Sequence, residues 1–446
     1  MPFRPPPAAA PPPPPALPPE RVGLRAGILW TFGGQLTYAA AQWGMVALLA
    51  RLGRTADVGA YSLGLALTAP LFLLLGLQLR SVQATDARTE RPFAQYFSLR
   101  ALGMGLGLAL TVGLALLYPQ ARAVLGWLGV AKALEGLSDV AYGLMQQRER
   151  LDWVARSTLL RGLLGLGLLG TAFALSGSVA LGAAGVALAN LLVLVLYDLP
   201  HTRRLAPGRW WTPHIPGALL RIALPLGLVM GLVSLGSTLP RLFVERTLGT
   251  GALGLYSALA YLNVAGSVIV VALGTAVTAR LSQRYAAGDR RGFVALTLGM
   301  TGAAAVVGGG LVLLAMVGGG PLLRLLYGPE YAAQSAPFVW LMVSGALGYL
   351  ASCAGFAVTA ARKFGEQLPL FVVVTGVLAL ACWTLVPAHG LVGAALASLL
   401  AAGVQLLGSW GIVAWALGTP VPDTSPLGTP APGAPPPTPA PSQGES

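Results

Sequence analysis

The sequence predicts an all-α integral membrane protein of about twelve transmembrane helices, and three observations carry that prediction. Of 446 residues, 55% are apolar and 10% are charged, against about 25% charged in a soluble globular chain. Apolar stretches of about 20 residues recur along the chain, each long enough to cross roughly 30 Å of hydrocarbon. Basic residues gather in alternate connections, the bias that orients a polytopic membrane protein. A chain of this composition lacks the polar surface to face water.

Taken in order, residues 1–20 are a proline-alanine run without the apolar centre of a signal peptide, read as a disordered tail. Spans are expected near 26–50, 58–79, 95–118, 121–145, 154–175 and 179–198, within an N-terminal unit over 21–200. A linker over 201–217 follows. Spans near 218–240, 252–279, 293–317, 333–358, 366–386 and 390–417 make a second unit over 218–417, and 418–446 is a second proline-rich tail. No connection between spans exceeds about twenty residues, which leaves no room for a folded domain outside the membrane.

Orientation follows from arginine. Arg4, Arg21, Arg25, Arg88, Arg91, Arg148, Arg150, Arg156, Arg203, Arg204 and Arg209 fall on one side, with Arg280, Arg284, Arg290, Arg291, Arg362 and Lys363 in register. The opposite side holds Arg51, Arg54, Arg122, Arg246 and Arg324, an asymmetry of about threefold. Both termini are therefore expected in the cytoplasm of a cell whose plasma or inner membrane carries the protein.

The chain also repeats itself. Arg51-Leu-Gly followed by Gly59-Ala-Tyr61-Ser62 returns as Arg246-Thr-Leu-Gly followed by Gly254-Leu-Tyr256-Ser257. Leu117-Tyr118-Pro119 is echoed by Leu326-Tyr327-Gly328, and Gly182-Ala-Ala-Gly185 by Gly390-Leu-Val-Gly393. The echoes keep their order, so the chain is expected to form two parallel six-helix halves, an arrangement suited to alternating access.

The chemistry excluded is equally informative. There is no phosphate-binding G-x-x-x-x-G-K-[ST], no G-x-S-x-G and no H-E-x-x-H, and no catalytic residue is expected. Cys353 and Cys382 lie far apart within spans, and His201, His214 and His389 are the only histidines, so no metal site or cofactor is expected. The net charge of +13 belongs to short membrane-flanking loops, so nucleic acid is not an expected partner.

Polar residues within the spans carry the functional reading, because each is expensive in lipid. Lys132, Glu135 and Asp139 recur at three and four residues and share one helix face. Lys132 and Glu135 either pair locally or serve transport; Asp139 lacks a local partner and leads the candidates for coupling to a proton or sodium gradient. Thr31, Gln35, Tyr38 and Gln42 make a polar stripe on the first span, and Tyr256, Asn263 and Ser267 make another on the eighth. Arg161 either snorkels to the surface or faces a cavity, and Asn190 lies inside the sixth span. Arg241 and Glu245, four apart, suggest an ion pair or part of an outer gate, while Arg51, Arg54 and Arg246 suit headgroup anchors. Gln35, Tyr38, Gln42, Arg161, Asn190, Arg241 and Asn263 are the cavity candidates; Lys132, Glu135 and Asp139 are the ion-coupling candidates.

Arg51-Leu52-Gly53 with Gly59-Ala60-Tyr61-Ser62, Leu224-Pro225, Leu325 through Ala332, and Gly390 through Ala395 resemble, in order and spacing, the Wzx-type polysaccharide flippases of the multidrug/oligosaccharidyl-lipid/polysaccharide exporter superfamily. The resemblance covers about residues 22–417. It implies a V-shaped pair of bundles around a cationic cavity that opens alternately to each side. The implied substrate is an oligosaccharide on undecaprenyl pyrophosphate, moved outward for surface polysaccharide assembly. The implied companions are membrane lipids, a polysaccharide polymerase and a chain-length regulator, with the transporter itself a monomer. The competing readings are a secondary exporter of drugs or sugars, whose pocket would be acidic, and a membrane-embedded glycosyltransferase or polymerase, which would need a large outer loop.

Overall fold

The computed structural model describes residues 24–418 apart from 85, 87–90 and 362. The two proline-rich tails, together with Arg4, Arg21, Arg88 and Arg362, lie outside the described residues, as do the side chains of Arg25 and Thr31. Every regular element among the described residues is helical.

The N-terminal half comprises α1 (Leu24–Leu52), α2 (Thr55–Leu75), α3 (Leu79–Ala84), α4 (Phe93–Leu117), α5 (Arg122–Gln147), α6 (Leu151–Ser176), α7 (Val179–Val193) and α8 (Leu199–Leu205). The C-terminal half comprises α9 (Gly217–Ala286), α10 (Arg290–Tyr327), α11 (Pro329–Ala332), α12 (Ser335–Ala360) and α13 (Gln367–Gly418). Among the described residues, eight helical stretches are long and apolar enough to cross a membrane. Helices α1 and α5 form where spans are predicted but fall outside those eight. The exception has a physical reason: they carry the polar stripe and the charged face, and so need protein rather than lipid around them.

Two helices are far longer than a bilayer requires. At 1.5 Å per residue, the 70 residues of α9 would run about 105 Å if straight. They do not, because Gly249 adopts φ 87° and ψ 173°, a conformation outside the helix that glycine reaches without a Cβ penalty. The arms 217–248 and 250–286 fold back on each other there, which brings the Arg241 guanidinium 5.9 Å from the Tyr261 ring. Gly390 (φ 59°) breaks α13 in the same way. The predicted connection at 241–251 is thus reduced to a one-residue break.

The echoes mark close backbone approaches. Gly185 faces the Leu168 carbonyl, 2.7 Å from where a Cβ would stand, and a methyl on Gly393 would overlap the Leu385 carbonyl. Across the halves, a methyl on Gly59 would overlap the Thr250 carbonyl, and one on Gly254 the Thr55 carbonyl. The same motif in each half therefore docks against its counterpart, as small residues permit between lipid-embedded helices. One predicted span ends early: α2 stops at Leu75, and Leu77 and Gln78 adopt φ of 52° and 50°.

The α9–α10 connection is stapled by Asp289, whose side chain accepts from the Gly292 amide (2.8 Å) and pairs with Arg284 (2.7 Å). That amide first, and Arg284 after it, hold the Asp289 carboxyl below its ordinary range. A depressed carboxyl stabilises above its unfolded pKa and stops doing so as pH falls through the folded one. Asp289→Ala is expected to lower the thermal midpoint in detergent at neutral pH. The difference from wild type should close in acid; an undiminished gap there would exclude the cap as its cause.

Candidate functional site

Six of the predicted polar residues meet in the N-terminal half. Lys132 Nζ lies 2.8 Å from Glu135 Oε2 on α5. Glu135 Oε1 accepts a hydrogen bond from Tyr38 Oη on α1 at 2.9 Å, and Tyr38 Oη accepts one from Gln42 Nε2 at 2.9 Å. Arg161 on α6 and Asn190 on α7 complete the lining of a small pocket of about 20 Å³ around these groups. Asn190 donates to the Ala131 carbonyl at 2.9 Å, which fixes α7 against α5. A space of that size accommodates about one water molecule.

Arg161 does not snorkel: it is 4% exposed and pairs with Asp198 at 3.3 Å. Asp198 ends the π-helical turn Leu194–Asp198, and its other oxygen accepts from Ser157 Oγ at 2.5 Å. Ser157 in turn lies 2.7 Å from Tyr142 Oη. Such turns re-aim side chains by one position, which here directs Asp198 inward. Asp198, Tyr142 and Ser157 were not among the predicted site residues, because Asp198 falls at the very end of an apolar run and reads as an interface residue.

Asp139 lies apart from this cluster. Arg100 Nη2 on α4 meets it at 2.8 Å and Arg80 Nη1 on α3 at 3.4 Å, so the partner missing from its own helix comes from two others. Gln35 is exposed on α1.

A second cavity, of about 320 Å³, lies between the halves. Tyr38, Gln42, Ser62, Lys132 and Glu135 face it from one half; Ser237, Thr238, Arg241 and Tyr261 face it from the other. Arg241 donates to the Ser237 carbonyl at 3.0 Å and lies near the Tyr261 ring, so the expected pair with Glu245 is not formed. Lys132 is engaged by Glu135, whereas no carboxylate pairs with Arg241 among the described residues. The cavity therefore offers an uncompensated guanidinium, suited to bidentate binding of a phosphate. A third cavity of about 880 Å³ lies within the C-terminal half, where Asn263 contributes to the wall. It shares Ser237, Arg241 and Val264 with the interlobe cavity.

The end carrying the repeated turns is shut. Besides the Gly59–Gly254 crossing, Arg51 Nε donates to the Leu326 carbonyl (3.1 Å), so it ties the halves together as well as standing at the surface. Trp43 Nε1 donates to Tyr327 Oη (2.8 Å), which donates to the Ala258 carbonyl (2.9 Å).

Known proteins share this architecture. The chain aligns with a solved multidrug resistance MATE family transporter of the MOP superfamily in an inward-facing conformation, over 86% of this chain and 96% of that one (TM-score 0.68, 16% identity). It aligns with the lipid II flippase MurJ in an inward closed conformation over 87% and 91% (TM-score 0.70, 13% identity). The capsular polysaccharide biosynthesis protein CapF of Staphylococcus aureus is 23% identical over 388 residues, 85% of this chain and 96% of that protein. Residues 24–283, more than half of the chain, match the family described as polysaccharide biosynthesis protein. A MOP-type fold, two echoing halves and an interlobe cavity lined by both thus coincide with a sequence match of that extent, and the chain belongs to the polysaccharide biosynthesis protein family.

Proposed function

We propose that the protein is a Wzx-type flippase that carries undecaprenyl-pyrophosphate-linked oligosaccharide from the cytoplasmic to the outer leaflet by alternating access. The observation that carries this reading is Arg241, a cation without a carboxylate partner among the described residues, on the wall of a cavity contributed by both halves. In a chain of this family the pyrophosphate is the group such a cation serves. Its charge must leave water, and arginine replaces that hydration with paired N–H donors. The glycan is supplied by cytoplasmic glycosyltransferases and handed to a polymerase and chain-length regulator outside, with the transporter working as a monomer.

Reconstitution in liposomes with a lipid-linked oligosaccharide tests the reading. Flipping above the rate of empty vesicles is expected, and Arg241→Gln should slow it about tenfold or more, the loss of a charge-assisted contact. Absence of flipping across a range of oligosaccharide lipids, with drug efflux in its place, would support the small-molecule exporter instead.

For energy coupling, Glu135 is the carboxylate that faces both the one-water pocket and the interlobe cavity, so a proton or sodium ion reaching it meets the substrate site directly. Lys132 sets its charge, and Asp139 acts from its own site between Arg80 and Arg100.

A further inference from the structure

The halves share a fold but are filled differently. Helices α5 and α12 are the corresponding fourth spans of their halves, and each has 26 residues. The echoes Leu117/Leu326 and Gly182/Gly390 bracket these helices, and the first sets Leu341, Ser344 and Gly348 of α12 in the places of Lys132, Glu135 and Asp139 of α5. The charged residues of one half are replaced by apolar and small ones in the other, and Gly345, Gly348, Ser352 and Gly355 lie at helical spacing on one face of α12. A Cβ built on Gly348 or Gly355 meets no atom within 4 Å. Along about 15 Å of helix, this face opens into the 880 Å³ cavity.

The cavity's chemistry points to its occupant. Its wall is largely apolar, with Val229, Val233, Leu341, Phe356, Phe371 and Ile412, and no aspartate or glutamate lines it among the described residues. Several hydroxyls at the wall are turned inward on their own helices: Ser267 donates to the Val264 carbonyl (2.8 Å), Ser352 to Gly348 (2.8 Å), Thr359 to Gly355 (2.9 Å) and Ser398 to Ala394 (2.9 Å). Asn263, Gln367 and Gln405 offer a few amides, but these are fewer than a glycan's hydroxyls, and each hydroxyl left without a partner costs about 1–3 kcal/mol. A hydrocarbon chain loses nothing by entering. Among the described residues, the only charge on the wall is Arg241, at the junction with the interlobe cavity. A charged junction opening onto an apolar slot matches a phosphate joined to an apolar chain.

We propose that the C-terminal cavity holds the head-proximal segment of the substrate's polyprenyl chain, with its phosphate at Arg241 and its glycan in the space between the halves. This rests on the flippase reading and adds a tail site to it. The site would make the carrier lipid itself, and not only the sugar, part of what the protein recognises.

Binding of undecaprenyl phosphate and of methyl phosphate to the purified full chain in detergent, followed by native mass spectrometry, separates tail from head group. Wild type is expected to bind the longer chain at least about tenfold more tightly, since each buried methylene adds to affinity. Gly348→Phe and Gly355→Leu fill the cavity where the backbone leaves room, and thermal melting checks that they fold. Either should reduce the long-chain preference to near parity while leaving methyl phosphate binding intact. An undiminished preference in both variants would overturn the tail site while leaving the flippase reading standing. Equal loss of both probes would place the head group in the cavity instead. Failure of wild type to bind either probe would overturn both readings.

Discussion

Asp198→Ala is expected to destabilise the protein by about 3–5 kcal/mol, the range for removing one partner of a buried ion pair. The Asp198 side chain is fully buried and that of Arg161 is 5% exposed, so the guanidinium left behind is cut off from bulk water. Its aromatic neighbour Tyr142, 5.5 Å away, cannot replace a carboxylate. Ser157 loses an acceptor at the same time. Chemical denaturation in mixed micelles should register the drop. Replacing both residues, as Asp198→Leu with Arg161→Leu, should recover much of it, because an apolar pair of similar volume avoids stranded charge. A single variant no less stable than an ordinary surface substitution would show that the pair does not hold α6 to the end of α7.

Gly254→Leu is expected to act on conformation. Even a methyl there overlaps the Thr55 carbonyl, and the same holds for Gly59 against Thr250. A larger side chain forces the two turns apart, at the typical overpacking cost of about 1–3 kcal/mol in the closed state. The shut end should therefore open. With Cys353 and Cys382 replaced, a cysteine at Thr238 on the interlobe cavity should react with a membrane-impermeant thiol reagent from the side of the Arg51–Thr55 turn about tenfold faster in the variant, the equivalent of about 1.4 kcal/mol. Gly59→Leu should behave alike, since the contact is reciprocal. An unchanged labelling rate in both would remove this crossing from any role as a gate.

How much of the site was legible can be judged residue by residue. Tyr38, Gln42, Lys132, Glu135, Arg161 and Asn190 were readable because a polar group inside an apolar run announces its cost locally. Asp198, Arg80 and Arg100 sit near the ends of apolar runs, where charge is ordinary, so nothing in the sequence singled them out. The partners of Asp139 come from α3 and α4, and no spacing within α5 could supply them. Arg241 and Glu245 had the spacing of a helical pair, yet the folded-back arm of α9 offered Arg241 the Tyr261 ring instead. The C-terminal cavity left only a negative trace, glycines and a serine at helical spacing over 345–355, which a glycine-rich sequence disguises.

The sequence by itself determined the membrane class, the repeat and the family likeness, because hydropathy, arginine bias and motif order are properties of the chain before it folds. Tertiary structure decided which polar groups meet, which half is hollow and which end is closed. The physical reason lies in the bilayer, where apolar burial does not distinguish a lipid-facing from a helix-facing surface. Helix rotation and pairing are set there by close contacts such as Gly59 with Thr250, and by pairs such as Arg161 with Asp198, whose members lie on different helices.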